Sequence, residues 1–205
     1  MRTYPIMLDL RDRTVVVVGA GPVGLRKVKS LREARARVKL VAERIDPQAD
    51  LAGVTVARES YRPQIIEGAL LVFACTDDRE LNARIAHDAR KMGAMVNVAD
   101  TPDECDFFLP AVVSDGNVVA AIGTGGTAPA VSAWLKARLA DSLPEKRGAF
   151  AAAIEELRSE LKAAIPDGPR RMQIIKGLVN DGTYRAFLAG GSDAVRAELR
   201  KLLDG

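Results

Sequence analysis

Three stretches of this chain have residue types and spacings suited to binding or proton chemistry. Gly19-x-Gly21-x-x-Gly24 lies between the run Thr14-Val15-Val16-Val17-Val18 and a helix-forming stretch from Leu25 to Ala34. In that strand-to-helix context Gly19 permits a tight turn, Gly21 lets a pyrophosphate approach the backbone, and Gly24 lets the helix pack closely on the strand. The helix N-terminus adds free N–H groups and a positive dipole end. Asp100, within Asn97-Val98-Ala99-Asp100-Thr101-Pro102, puts a carboxylate at a strand's carboxyl end, where open α/β sheets bind their ligands. It is a candidate base there, with a turn-forming Asp before Thr-Pro as the alternative. The third stretch, Gly123-Thr124-Gly125-Gly126-Thr127-Ala128-Pro129, offers hydroxyls and backbone N–H groups ahead of a helix that carries Lys136 and Arg138. It reads as a second anion site with a defined helix cap, against the plainer reading of a flexible connector.

Around these, several positions follow from the strand ends. Glu43, one position later than the usual ribose-binding acid, reaches toward ribose hydroxyls, whereas Arg44 favours a 2′-phosphate, which leaves NAD and NADP both open. Thr76 and Asp77 flank the nicotinamide side, and Asp78 reads equally well as a helix N-cap. The single histidine, His87, falls inside a helix away from strand ends and is assigned no role in chemistry.

The elements that must hold these residues alternate as in a parallel sheet. Strands are expected at Thr14–Val18, Arg37–Val41, Val54–Arg58, Leu70–Ala74 and Met95–Val98, with helices over Val23–Ala34, Gln64–Glu67 and Arg79–Met92, the last burying Leu81, Ile85 and Ala89. After Asp100 no helix intervenes between Phe107–Val113 and Val118–Ile122, and Ser114-Asp115-Gly116-Asn117 signals a hairpin turn. Helices follow at Ala130–Asp141, Lys146–Ala164 and Arg170–Asn180, then two shorter ones. The fold class is therefore α/β: a Rossmann-type doubly wound parallel sheet over residues 1–110, a β-hairpin and helix segment over 111–144, and a helical domain over 145–205.

Composition narrows the function classes. The chain has 205 residues, 30 Lys and Arg against 27 Asp and Glu, and 48% hydrophobic residues, which is the balance of a globular protein with a sizeable core. Its start lacks the apolar core of a signal peptide, and no run is long enough for a membrane span. Cys75 and Cys105 lack metal-ligand spacing and are expected as free buried thiols in a cytoplasmic protein; no metal site is expected. The basic residues of the second half come with few aromatics and no recognisable nucleic-acid module, so a polyanionic small molecule fits better than nucleic acid.

Taken together, Tyr4-Pro5-Ile6-Met7-Leu8-Asp9-Leu10, Val18 to Val28, Ala74-Cys75-Thr76-Asp77-Asp78, Val96 to Pro102, Cys105-Asp106-Phe107-Phe108-Leu109-Pro110-Ala111 and Ile122 to Ala130 resemble the precorrin-2 dehydrogenase family, the module that also forms the N-terminal part of siroheme synthases. The motifs occur in the family's order, and the likeness loosens after Lys146. The resemblance implies NAD-dependent oxidation of precorrin-2 to sirohydrochlorin, in some members with ferrous iron inserted as a second substrate. It implies a homodimer joined through about Ala111 to Pro144. It places the key carboxylate on Asp100 and cofactor contacts on Pro22, Val23, Glu43 and Arg44. A serine phosphorylated in some relatives aligns with Thr124, which puts that regulation in doubt. A tetrapyrrole polycarboxylate would then be held in a basic cleft, with Asn97, Thr124, Gly125, Gly126, Thr127, Lys136 and Arg138 as candidates. The methyltransferase domain fused in some siroheme synthases is not expected within these 205 residues. The competing class is a regulatory module that senses NAD(H) without catalysis.

Overall fold

A computed structural model describes residues 3–204, which divide into two compact units, one ending at Leu109 and the other beginning at Pro110. In the first, five parallel strands, β1 (Thr14–Val18), β2 (Arg37–Val41), β3 (Thr55–Ala57), β4 (Leu71–Ala74) and β5 (Met95–Val98), lie in the order β3-β2-β1-β4-β5. Helices α1 (Pro22–Glu33) and α2 (Arg79–Lys91) are the crossovers. Because strand side chains alternate between faces, the valine run serves two cores at once. Val15 and Val17 join Val28 and Leu31 of α1 on one face; Val16 and Val18 join Ile85, Ala86 and Ala89 of α2 on the other.

The doubly wound fold expected from the sequence is present, with local corrections. Residues 63–66 form a single 3-10 turn, Pro63–Ile66. On α2 the buried stripe runs through Asn82, Ile85, Ala86 and Ala89, while Leu81 is only partly covered. The strand expected from Phe107 begins instead at Ala111: Phe107 stacks edge-on against Phe73 at 5.5 Å, and Pro110 has no N–H for a ladder.

The second unit begins with the antiparallel hairpin β6 (Ala111–Asp115) and β7 (Val118–Ile122). The turn is tighter than the sequence suggests, since β6 runs to Asp115 and only Gly116 and Asn117 connect the strands. Gly116, at φ 55°, supplies the positive φ that a two-residue hairpin needs at its first position. Helices α3 (Pro129–Ser142), α4 (Arg147–Ala164), α5 (Gly168–Leu178) and α6 (Asp181–Asp204) follow. The last bends at Gly191, which leaves the helical region and makes two helices of it, as the sequence indicates. Ala153, Leu157 and Leu161, four residues apart on α4, meet Leu178, Phe187, Val195 and Leu199 in this unit's core.

The hairpin is fixed to α4 by one glycine. The Gly148 N–H donates to Asp115 Oδ2 at 2.9 Å, and a Cβ there would lie 2.2 Å from the Asp115 carbonyl oxygen. Gly148→Ala is therefore expected to cost about 3 kcal/mol or more, because backbone rather than a movable side chain fills the space. Denaturant unfolding of the purified variant measures this, and a loss below about 1 kcal/mol would mean that the hairpin shifts freely.

Candidate functional site

The carboxyl edge of the sheet is built around a turn that tolerates no Cβ at two positions. Gly19 leaves β1 at φ 106°, and its N–H donates to the Val41 carbonyl at 2.9 Å. A Cβ on Gly19 would stand 2.2 Å from the Cys75 carbonyl oxygen, and one on Gly24 would stand 2.0 Å from the Gly19 carbonyl oxygen. These two glycines let β1, β4 and α1 converge. Gly21 differs from both. Its Cβ position meets nothing within 4 Å, so it faces open space at the head of α1. No side chain caps that helix end, Pro22 occupies its first turn, and Val23 is half-buried behind it. Uncapped backbone N–H groups beside an open cradle fit a dinucleotide pyrophosphate.

Along the same edge, Glu43 is exposed after β2 and accepts a hydrogen bond from the Ser60 hydroxyl. Arg44 beside it is exposed, with no hydrogen bond or ion pair among the described residues. After β4, Thr76 is fixed by Asn82: the Thr76 N–H and hydroxyl both reach Asn82 Oδ1, at 3.1 and 2.7 Å, and Asn82 Nδ2 donates to the Thr76 carbonyl at 2.9 Å. Asp77 is exposed, and Asp78 caps α2 by accepting from the Leu81 N–H at 3.0 Å. Asn82 is buried, and a polar residue in an apolar helical stripe was the signal that could have revealed it.

Asp100 follows β5 in a left-handed turn, φ 58°, and is exposed. Asp is among the few non-glycine residues that adopt this conformation readily. Its carboxylate makes no hydrogen bond or ion pair among the described residues, so it is free to meet an incoming group. Asn97, by contrast, is already engaged, donating from Nδ2 to the Phe107 carbonyl at 2.9 Å. Burial pushes the Cys75 thiol up to about 11; the Lys27 ammonium opposes that shift and the Asp100 carboxylate adds to it. Lys27 lies half-buried with Nζ 5.9 Å from the centre of the Phe73 ring. Burial lowers its pKa, and it has no ion-pair partner among the described residues. The expectation that both thiols are buried holds for Cys75 only; Cys105 is partly covered.

The second glycine turn belongs to the other unit. Gly125 and Gly126 take φ 62° and 79°, Thr127 Oγ1 donates to the Thr124 carbonyl at 2.7 Å, and the Ala128 N–H donates to Thr124 Oγ1 at 3.3 Å. The Thr124 hydroxyl also bonds the buried Ser132 hydroxyl at 3.1 Å. The turn is thus internally tied, but α3 itself has no side-chain cap, contrary to the cap expected from the threonines. Lys136 is exposed, and Arg138 sits over the Trp134 ring at 5.7 Å. Among the described residues no group of three or more His, Cys, Asp or Glu comes together as a metal site, and no helix is long and apolar enough to cross a membrane.

A 3-2-1-4-5 parallel sheet with an open glycine cradle at the head of its first helix defines a Rossmann-type dinucleotide-binding protein. The family model described as "Putative NAD(P)-binding" matches residues 6–111, and the chain belongs to that family. Over its whole length it is also similar to siroheme synthases, 33% identical to that of Thioalkalivibrio sulfidiphilus and 35% to that of Nitrosococcus oceani. It spans 42% and 45% of those relatives, less than half of either. Among solved structures, SirC, precorrin-2 dehydrogenase, shares the fold with a TM-score of 0.80 at 20% identity, covering 97% of this chain and 100% of SirC.

Proposed function

We propose that this chain is an NAD-dependent precorrin-2 dehydrogenase that forms sirohydrochlorin in siroheme biosynthesis. The observation that carries this reading is the similarity of the entire chain to siroheme synthases, with Asp100 presented at the carboxyl edge of the nucleotide-binding sheet. A bound oxidised nicotinamide would supply the hydride acceptor for a reduced carbon of the substrate. The chain's own contribution is to orient and to remove the accompanying proton. The Gly21 cradle and the N-terminus of α1 hold the pyrophosphate, aided by Pro22 and Val23. Glu43 contacts the ribose hydroxyls, which favours NAD, and the Thr76–Asp77 turn, stiffened by Asn82, borders the nicotinamide side. Asp100 takes the proton. Asn97 of the first unit is our candidate for a substrate carboxylate; in the second unit, taken by itself, Thr124, Gly125, Gly126, Thr127, Lys136 and Arg138 are our candidates for binding carboxylate groups. Free thiols at Cys75 and Cys105 support a cytoplasmic location.

The test is anaerobic incubation with precorrin-2 and NAD, following NADH and the sirohydrochlorin spectrum, then addition of ferrous iron. NADH formed with sirohydrochlorin supports the dehydrogenase, and later metal insertion would extend it to a ferrochelatase. Dinucleotide binding without turnover would instead make the chain a sensor.

The proposal includes a homodimer through residues 111–144. Its support is apolar exposure: Val112 and Val119 on the uncovered hairpin face, and Val131, Trp134 and Leu135 on α3. Sedimentation at micromolar concentration should give twice the monomer mass; a monomer there would refute this element.

A further inference from the structure

Segment 104–107 is stitched along the open edge of β5, and one of its stitches encloses Asp100. An edge strand leaves outward N–H and carbonyl groups unpaired. Here the Val96 N–H donates to Asp106 Oδ2 at 2.9 Å, and the Asp106 N–H returns a bond to the Val96 carbonyl at 2.8 Å. Arg90 holds that carboxylate in place, with Nε 2.9 Å from Asp106 Oδ1 and its other arm 2.7 Å from the Glu104 carbonyl. The next outward group, the Val98 N–H, donates to Cys105 Sγ at 3.2 Å. The same sulfur lies 3.3 Å from the Val98 carbonyl and 3.4 Å from the Thr101 carbonyl, and Asn97 Nδ2 approaches it at 3.5 Å. Val98 and Thr101 are the residues on either side of the Ala99–Asp100 turn. One thiol therefore joins the strand before Asp100 to the chain after it, around a residue held at positive φ.

We propose that Cys105 is the positioning residue for Asp100: its thiol, bridging Val98 and Thr101, keeps the left-handed turn in the one arrangement that aims the carboxylate past the end of β5. The inference rests on the role proposed above for Asp100. A thiol suits the task because its single S–H serves one carbonyl while the sulfur accepts the Val98 N–H. Burial raises the Cys105 pKa, which favours the neutral thiol that can donate. The group works as a donor and acceptor, with no nucleophilic or redox part.

The experiment measures turnover, NAD affinity and thermal midpoint for the full chain carrying Cys105→Ala, Cys105→Val and Cys105→Ser, each in the wild-type and Asp100→Asn backgrounds. Cys105→Val keeps the volume and supplies a folded protein where the alanine variant does not. Loss of the thiol should lower kcat about tenfold or more with NAD affinity within twofold, and serine should restore most of the turnover. In the Asp100→Asn background the same substitutions should cost nothing further in kcat, because the carboxylate they position is gone. Wild-type turnover in Cys105→Val, or an equal proportional loss in both backgrounds, would overturn the positioning role. Asp100→Asn retaining wild-type turnover would instead remove the role of Asp100 itself, so the two failures are distinguishable.

Discussion

Asp100→Asn is expected to bind NAD with near-unchanged affinity and to lose about a hundredfold or more in turnover, a loss of about 2.7 kcal/mol or more in transition-state stabilisation. The choice of asparagine follows from the backbone. At φ 58° a side chain other than Asp, Asn or Gly is strained by about 1 kcal/mol, so alanine would mix a conformational penalty with the chemical one. Asparagine keeps the turn and removes only the proton-accepting carboxylate. Because the side chain is exposed and makes no hydrogen bond or ion pair among the described residues, its removal should leave the thermal midpoint almost unchanged. If Asp100 served only the turn, Asp100→Ala would instead lower stability by on the order of 1 kcal/mol with activity per folded molecule retained. Turnover, affinity and midpoint from one preparation separate these outcomes.

What the sequence makes legible here is what its neighbours along the chain decide. The run Thr14–Val18 is a strand because five β-formers sit where both faces are covered, and Asp78 is an N-cap because the helix begins one residue later. The glycine turn is readable for the same reason: its three special positions lie within six residues. Asn82, Lys27 and Cys105 are less visible, since each is defined by a partner on another element or across a loop. Thr76 meets Asn82 only after α2 turns back over β4, and Cys105 finds Val98 only once residues 104–107 lie along β5. The misplaced start of β6 has a similar origin. Phe107 and Phe108 suit a strand by type, but packing on Phe73 takes up the Phe107 ring, and Pro110 delays the ladder.

Two glycine substitutions within one motif should fail in opposite ways. Gly21→Asp is expected to fold, because its new side chain enters space where nothing lies within 4 Å, and Gly21 already has extended backbone angles, φ −69° and ψ 177°, that any residue adopts. It should nevertheless abolish NAD binding, since a carboxylate would occupy the place of the pyrophosphate and oppose its charge. Gly24→Ala should do the reverse of what its mild chemistry suggests. A methyl group 2.0 Å from the Gly19 carbonyl oxygen forces α1 off β1, at a cost of about 3 kcal/mol or more from the stability of the first unit. Calorimetric titration with NAD and thermal unfolding of both variants check the pair. A Gly21→Asp protein that still binds NAD as the wild type does would move the cofactor away from this turn, and an unfolded one would mean that the cradle is structural. A Gly24→Ala protein of wild-type stability would show that α1 rides on β1 with room to spare, and the closeness of helix and strand would no longer explain the third glycine.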